Sequence, residues 1–161
     1  MASFRDKIVD RAVLLDRAAS WRAAGDTIVL ANGCFDLLHV GHLRYLQAAA
    51  ALGTRLVVAI NSDASTRQLK GPGRPVLAER ARAELVAALR GVAAVTVFDE
   101  LSVEPLLAAL RPDLHAKGTD YTPDTVPEAA TARALGIGVR IVGDPKHHST
   151  RDLLVRIAEG G

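Results

Sequence analysis

Two histidines three residues apart, His39 and His42, have the side-chain type and the spacing that suit phosphate chemistry. Residues three apart on a helix face the same side, so both imidazoles could reach one ligand. Two imidazoles aimed at one anion can donate hydrogen bonds and stabilise the negative charge that develops as a phosphate leaves. The pattern predicts a catalytic pair. The alternative interpretation is two surface histidines on a helix.

The residues around the pair predict a strand, a turn and the start of a helix. Residues 27–31 form an apolar run typical of a buried strand, and residues 43–52 are rich in alanine and leucine, as expected of a helix that ends at Gly53. Backbone N–H groups at a helix N-terminus lack partners and attract anions. Gly41 is expected to leave space for a ligand beside the histidines.

The rest of the chain alternates predicted helices with predicted strands. Strands are expected over 55–60, 94–98, 114–116 and 139–142, and helices over 8–24, 78–89, 102–110, 127–135 and 151–158. Such alternation requires parallel strands, right-handed crossovers and helices on both faces of the sheet. Residues 1–161 are therefore expected to form one doubly wound, Rossmann-like α/β domain, in which the segment 1–26 supplies a leading helix that packs on the sheet.

Polar side chains follow four of the predicted strands. In an open parallel sheet the carboxyl ends of the strands share one edge, so these side chains are expected to converge although they are far apart in sequence. They are Asp36 with His39 and His42, Asn61 with Asp63, Lys117 with Asp120, and Ser149 with Thr150. Lys70, expected on the loop before Gly71, offers a flexible cation to a phosphate. Its alternative role is that of a solvated surface lysine.

Two motifs resemble a known family. The first is the run Gly33-Cys34-Phe35-Asp36-Leu37-Leu38-His39-Val40-Gly41-His42, which resembles the signature of the cytidylyltransferase-like nucleotidyltransferases. The second is the segment 61–71 together with Arg74-Pro75-Val76, which is similar to one branch of that family, the heptose 1-phosphate adenylyltransferases. The resemblance extends from about residue 27 to the C-terminus, with separate motifs in the same order.

The resemblance implies roles for particular side chains. In the family, the lysine that corresponds to Lys70 is expected near the reacting phosphates, beside the two histidines. The segment 117–121 resembles a K-G-x-D-Y segment that holds the nucleotide, and Ser149-Thr150 resembles an S-T-T segment that lies against the triphosphate. Arg151 departs from the third position of that segment. The expected nucleotide-binding residues are Gly33, Cys34, Phe35, Asp36, Gly41, Asn61, Asp63, Lys117, Asp120, Ser149 and Thr150.

Several of these residues also have structural interpretations. Asp36 is expected to orient a histidine or to hold Mg²⁺ through water or phosphate, because magnesium is typically bound by one or two carboxylates plus phosphates. Its alternative is a turn residue that bonds its own backbone. Ser149 can simply cap a helix. Cys34 suits small packing better than a nucleophile. The adjacent His147 and His148 are expected to face solvent without binding a metal.

The predicted reaction is nucleotidyl transfer without a covalent intermediate. The phosphate of a sugar 1-phosphate attacks the α-phosphorus of a nucleoside triphosphate, which the resemblance implies is ATP, and Mg²⁺, His39, His42 and Lys70 position the groups and neutralise charge. The resemblance implies a heptose 1-phosphate as acceptor and ADP-heptose as product, for bacterial lipopolysaccharide core or a related glycan. Glycerol 3-phosphate and phosphoethanolamine cytidylyltransferases, which use CTP, share the histidine turn and remain alternatives. A non-catalytic nucleotide-binding module is a further alternative of a different class.

Composition excludes several other classes of protein. The chain of 161 residues has 49% hydrophobic and 24% charged residues, a net charge of +2 and 4% aromatic residues without an interleaved basic run, so no nucleic-acid partner is expected. No apolar run approaches the roughly 20 residues that span a bilayer, and no signal peptide begins the chain, so a cytoplasmic protein without a membrane partner is expected. The resemblance implies a homo-oligomer, dimeric or larger. It also implies a sugar kinase, which related enzymes often carry in the same chain and which is expected here to be a separate protein.

Overall fold

The computed structural model describes residues 2–145 and 147–160 and is built on a parallel sheet of five strands. The strands are β1 (Ile28–Gly33), β2 (Arg55–Asn61), β3 (Val92–Phe98), β4 (Leu114–Lys117) and β5 (Gly138–Ile141). They lie in the order β3-β2-β1-β4-β5, and every neighbouring pair is parallel. The predicted α/β class and the parallel sheet are confirmed.

Helices cover both faces of this sheet. They are α1 (Arg11–Ala23), α2 (Val40–Ala50), α3 (Asp63–Lys70), α4 (Glu79–Ala87), α5 (Glu104–Leu110), α6 (Ala129–Ala134) and α7 (Thr150–Glu159), after a 3₁₀ turn at Phe4–Lys7. One apolar core lies under α1, α5 and α6, and a second lies under α2 and α4 on the opposite face. None of the helices in the described part of the chain is long and apolar enough to cross a membrane.

The central strand β1 shows why the apolar runs form this sheet. Ile28 and Leu30 belong to the core under α1, whereas Val29 and Ala31 belong to the core under α2. All four are completely buried. A strand that is covered on both faces needs apolar residues at every position, which is why it is a continuous apolar run in the sequence.

The strand order changes direction between β1 and β4. From β1 the chain moves outward through β2 to β3, and it then returns to β4 and β5 on the other side of β1. In open α/β sheets, ligands bind outside the carboxyl ends of the strands at this point. The loops that follow β1 and β4 therefore border the crevice where a ligand is expected.

Two differences from the sequence prediction concern α3 and the leading helix. Residues 63–70, for which no helix is predicted, form α3, and Lys70, expected on a loop, is the last residue of that helix. Ser62 caps α3 by accepting a hydrogen bond from the backbone N–H of Ser65. The helix was missed because its buried residues, Ser65 and Thr66, are polar and give no apolar periodicity. The leading helix begins at Arg11, because Asp10 is its N-cap.

Candidate active site

A cleft of about 1260 Å³ lies over the carboxyl ends of β1, β2, β3 and β4. The structure brings almost all of the predicted site residues to its walls. Those that line the cleft are Gly33, Cys34, Phe35, Asp36, His39, Gly41, His42, Asn61, Lys70, Lys117, Asp120, Ser149 and Thr150. The loops thus converge at one edge of the sheet, as the sequence order of strands and helices predicts.

His39 and His42 form a reciprocal cap at the start of α2. His39 is the N-cap, and its Nδ1 accepts a hydrogen bond from the Gly41 N–H at 3.1 Å. In return, Nδ1 of His42 accepts from the His39 N–H at 3.3 Å. The two rings stack with their centroids 3.9 Å apart and their planes at 25°. Both imidazoles are therefore fixed by the backbone of the helix start.

These backbone hydrogen bonds also determine where each imidazole carries its proton. A ring nitrogen that accepts from an N–H group holds no proton, so in the neutral form of each ring the proton is on Nε2. Each ring is then a hydrogen-bond donor through Nε2. Two such donors beside the N-terminus of α2, where the helix dipole also favours negative charge, suit a phosphate.

Gly41 is required by the His39 ring. A Cβ atom at this position would lie 2.8 Å from Cε1 and 3.0 Å from Nδ1 of His39, which is closer than real Cβ contacts. The expectation was that the missing side chain leaves space for a ligand. The structure instead shows the imidazole occupying that space, so the glycine acts by letting the first histidine fold back onto the helix.

The turn before the histidines has an uncommon backbone. Phe35 and Leu37 have φ values of 50° and 49°, in the left-handed region that non-glycine residues rarely adopt. The buried Phe35 ring stacks on the Tyr45 ring, with the two centroids 6.4 Å apart, and its centroid lies 5.5 Å from that of the His42 ring. The Tyr45 hydroxyl donates to the Ala116 carbonyl at 2.7 Å and so fastens α2 to β4. Aromatic packing therefore holds the strained turn and positions His42.

Asp36 anchors a neighbouring loop. Oδ2 of its buried carboxylate accepts hydrogen bonds from Arg74 Nε and the Val76 N–H, both at 2.8 Å, and Oδ1 accepts from the Leu77 N–H at 3.0 Å. Burial alone would raise the pKa of Asp36, but the backbone donors and the Arg74 guanidinium outweigh burial and hold the pKa below its usual value. Three hydrogen-bond donors thus occupy this carboxylate. The sequence suggests three other roles for it: to hold Mg²⁺, to orient a histidine or to bond the backbone of its own turn.

Asp63, which the resemblance implies as a nucleotide contact, lies outside the lining of the cleft. Its backbone N–H donates to Oε2 of Glu79 at 2.7 Å, and its Oδ1 accepts from the Glu79 N–H at 2.8 Å. The same Oδ1 accepts from Arg82 at 2.8 Å. Asp63 therefore joins the start of α3 to the start of α4, and its carboxylate is held there by two donors.

Arg82 is a completely buried arginine that the sequence analysis missed. Its Nη1 donates to the carbonyls of Cys34 at 2.6 Å and Asn61 at 2.8 Å, and its Nε donates to the Leu77 carbonyl at 2.9 Å. With the Nη2 bond to Asp63, one guanidinium joins the ends of β1 and β2 to α3 and to the loop before α4. The sequence indicates its burial only through its position one helical turn before Val86, an apolar residue that is buried.

His115 on β4 is a second buried polar residue that was missed. Its Nε2 lies 2.8 Å from Oδ1 of Asn32, a residue that lines the cleft. Burial and, to a smaller extent, the nearby charge of Lys117 lower the pKa of His115 to about 3. The ring is therefore neutral at pH 7, and Nε2 donates to the amide oxygen. This bond sets the orientation of the Asn32 amide.

Lys117 lies at the end of β4 in contact with an acidic residue that was also missed. Its Nζ is 3.5 Å from Oε2 of Glu128, and both side chains are less than a tenth exposed. The same Nζ lies 4.7 Å from the centre of the Tyr121 ring. Lys117, the exposed Lys70 and three arginines line the cleft together with five carboxylates, so its wall carries charges of both signs. The arginines are Arg44, Arg74 and Arg151.

A second helix begins at the same cleft. Ser149 is the N-cap of α7 and accepts from the Asp152 N–H at 3.0 Å, and the Thr150 hydroxyl donates to the Asp36 carbonyl at 2.7 Å. Helix capping thus accounts for Ser149, and Thr150 fastens α7 to the histidine loop. His147 and His148 are exposed, as expected, and border the cleft. The described residues include no group of three or more metal-binding side chains.

Comparison with known proteins places these features in a family. Residues 30–153 match the family described as cytidylyltransferase-like. The bifunctional protein HldE of Methylobacillus flagellatus is 45% identical over 98% of this chain and 32% of its own length. HldE of Koribacter versatilis is 47% identical over 92% of this chain and 30% of its own length. The chain therefore spans about a third of the curated relatives that it matches.

A solved structure shares both the fold and part of the sequence. The lipopolysaccharide core biosynthesis protein from Thermoplasma volcanium superimposes with a TM-score of 0.63 and 31% identity. The alignment covers 77% of this chain and all of the other chain. With the parallel sheet, the histidine turn and the family match over 30–153, these comparisons show that the chain belongs to the cytidylyltransferase-like family of nucleotidyltransferases.

Proposed function

We propose that the protein transfers AMP from ATP to a heptose 1-phosphate, giving ADP-heptose and pyrophosphate for lipopolysaccharide core or a related glycan. The observation that carries the proposal is the stacked pair of His39 and His42, with its Nε2 donors at the N-terminus of α2 in the cleft. The choice of a heptose is supported by the HldE relatives, whose adenylyltransferase part this chain matches, and by the lipopolysaccharide core protein of similar fold.

In this reaction an oxygen of the acceptor phosphate forms a bond to the α-phosphorus of ATP. The bond from that phosphorus to the bridging oxygen of pyrophosphate breaks, and its electron pair leaves with pyrophosphate. The nucleophile is already an anion at neutral pH, so no strong general base is required. The chain supplies in-line positioning together with donors from both histidines and positive charge from Lys70 and the cleft arginines.

Magnesium enters this proposal as part of the MgATP substrate. The residues present do not fit a metal site made by the protein alone, because Asp36 already accepts three hydrogen bonds and the described side chains offer no cluster of metal ligands. Mg²⁺ commonly keeps several waters and binds phosphate oxygens. The cleft provides instead the helix N-termini and cations that bind a triphosphate.

The substrates are tested by a matrix of ATP, CTP and GTP against heptose 1-phosphates of both anomers, glycerol 3-phosphate and phosphoethanolamine. We expect pyrophosphate release with ATP and one heptose 1-phosphate at a kcat/KM at least about tenfold above that of any other pair, because a site that binds a substrate through hydroxyl groups rejects analogues that lack them. Turnover of CTP with glycerol 3-phosphate would overturn the choice of substrates. Binding of ATP without turnover of any pair would favour the non-catalytic module.

Lys70 provides a second test of this function. We expect Lys70→Ala to lower kcat/KM by about 10- to 100-fold, because it removes a cation beside the charge that moves in the reaction. Lys70→Arg should lose less activity than Lys70→Ala but stay below the wild-type protein, because the guanidinium keeps the charge but is planar and bulkier. Pyrophosphate release measures both variants.

The control is Arg67→Ala, which removes an exposed cation from the same helix outside the cleft lining. It is expected to retain wild-type kcat/KM. If Lys70→Ala behaves like this control, Lys70 is a solvated surface residue.

A further inference from the structure

Glu128 is a buried carboxylate in the cleft with one oxygen that lacks a hydrogen-bond donor. The residue is 5% exposed, immediately precedes α6 and lines the cleft. Its Oε2 is 3.5 Å from Nζ of Lys117, which balances the charge, yet this oxygen accepts no hydrogen bond from the described residues. A buried charged acceptor without a donor is destabilising, so a donor from a bound ligand would complete the site.

The surroundings of Glu128 differ from those of the histidines. Glu128 precedes α6, which lies with α1 and α5 on one face of the sheet, whereas His39 and His42 begin α2 on the other face. The histidine side offers helix N-termini and donors, which bind phosphate. A buried carboxylate repels phosphate and accepts hydrogen bonds, so its side of the cleft suits a neutral group that carries hydroxyls.

Other residues that line the same cleft include side-chain types that occur in sugar-binding sites. Phe98 at the end of β3 borders the cleft from the core, where it is 3% exposed, and Ser102, just before α5, borders it with a hydroxyl that donates to Oε2 of Glu104 at 3.1 Å. Asn32 and Asn61, at the ends of β1 and β2, offer amides. Binding sites for polar ligands commonly combine apolar walls with a few such placed polar groups.

We propose that Glu128 accepts a hydrogen bond from a ring hydroxyl of the acceptor sugar and so selects a polyhydroxylated acceptor. This inference rests on the proposed function, since it names the acceptor's binding site within the same cleft. The ribose of ATP also carries hydroxyls, so the experiment must distinguish a hydrogen bond donated by the acceptor sugar from one donated by the ribose. A hydrogen bond to the Glu128 carboxylate, which is paired with Lys117, is charge-assisted and stronger than one between neutral groups.

The test is Glu128→Gln, which keeps the shape of the side chain and removes its charge. With the acceptor that the wild-type protein uses, we expect the KM for that acceptor to rise at least tenfold and the KM for ATP to stay within twofold. Glu84→Gln, which removes a carboxylate paired with Arg5 outside the cleft lining, is the control and should change neither KM. An unchanged acceptor KM, or an equal rise in the KM for ATP, would overturn the proposal.

Acceptor analogues that each lack one hydroxyl distinguish a contact with the sugar from a purely structural role of Glu128, because a structural role would not change the loss of kcat/KM for any one analogue. Removal of the hydroxyl that Glu128 contacts should cost the wild-type protein at least tenfold in kcat/KM but cost Glu128→Gln much less, because the two changes remove the same bond. Equal losses in both proteins for every analogue would contradict the contact. If Glu128→Gln does not fold, Glu128→Asp replaces it in the same comparison.

Failure of the proposed reaction would be seen separately. If the wild-type protein turns over no acceptor, calorimetry with heptose 1-phosphate as the probe, in the presence of a non-hydrolysable ATP analogue, measures the binding site directly. At least tenfold weaker binding to Glu128→Gln than to the wild-type protein supports the inference. Equal binding, or no binding to the wild-type protein, overturns it.

Discussion

Replacement of either His39 or His42 by alanine is expected to lower kcat by about 10²-fold or more, with a smaller change in ATP affinity. The reason is that each imidazole donates through Nε2 to phosphate oxygens whose negative charge increases in the transition state. Pyrophosphate release at saturating substrate measures kcat, and calorimetry with a non-hydrolysable ATP analogue measures affinity. Near-normal kcat in both variants would contradict the catalytic assignment.

The histidines also cap α2, and this structural role must be separated from catalysis. Loss of an N-cap hydrogen bond typically costs about 1 kcal/mol of stability. His39→Asn is the matched control, because asparagine is a good N-cap that can accept the Gly41 N–H but has no imidazole. We expect His39→Asn to unfold at nearly the wild-type temperature and still to lose kcat as His39→Ala does. Recovery of kcat in His39→Asn would mean that capping alone is required.

The sequence was sufficient to predict the sheet and the place of the cleft. The segments 28–31 and 56–60 are apolar at every position because both faces of their strands are covered, and this pattern is visible without knowledge of contacts. Alternation with helices then requires parallel strands, whose carboxyl ends share one edge. The convergence of His39, Asn61 and Lys117 at that edge follows from topology alone.

The partners of individual carboxylates could not be predicted in the same way. Asp36 and Asp63 were expected to face a ligand because they follow strands, yet each holds a segment that is distant in sequence. Asp36 bonds to Arg74, which is 38 positions away, and Asp63 bonds to Arg82, which is 19 positions away. Nothing local in the sequence distinguishes a carboxylate that binds a ligand from one that binds a loop.

Buried polar residues were missed for a related reason. Arginine, glutamate and histidine are usually at least partly exposed, so a helix or strand pattern gives no reason to place Arg82, Glu128 or His115 inside. Each is nevertheless buried, at 0%, 5% and 0% exposure. Arg82 and His115 organise the cleft through hydrogen bonds to carbonyl or amide oxygens, and those acceptors can be identified only in three dimensions.

Arg82→Met is expected to destabilise the protein by about 3–5 kcal/mol, the typical cost of removing one partner from a buried charged network. Methionine is of similar length but donates no hydrogen bond. The carbonyls of Cys34, Asn61 and Leu77 would lose their bonds to the guanidinium, and Asp63 would lose its charged partner. Urea denaturation followed by circular dichroism measures the free energy of unfolding.

The control for Arg82 is Arg80→Met on the same helix, where the side chain is 87% exposed and pairs with Glu84 across one turn. Its effect should be within about 0.5 kcal/mol, as for most surface substitutions. Arg82→Lys should remain strongly destabilised, because one ammonium group cannot span the four acceptors that the planar guanidinium joins. A loss below about 1 kcal/mol in Arg82→Met would contradict the network, since buried acceptors left without donors cost at least that much.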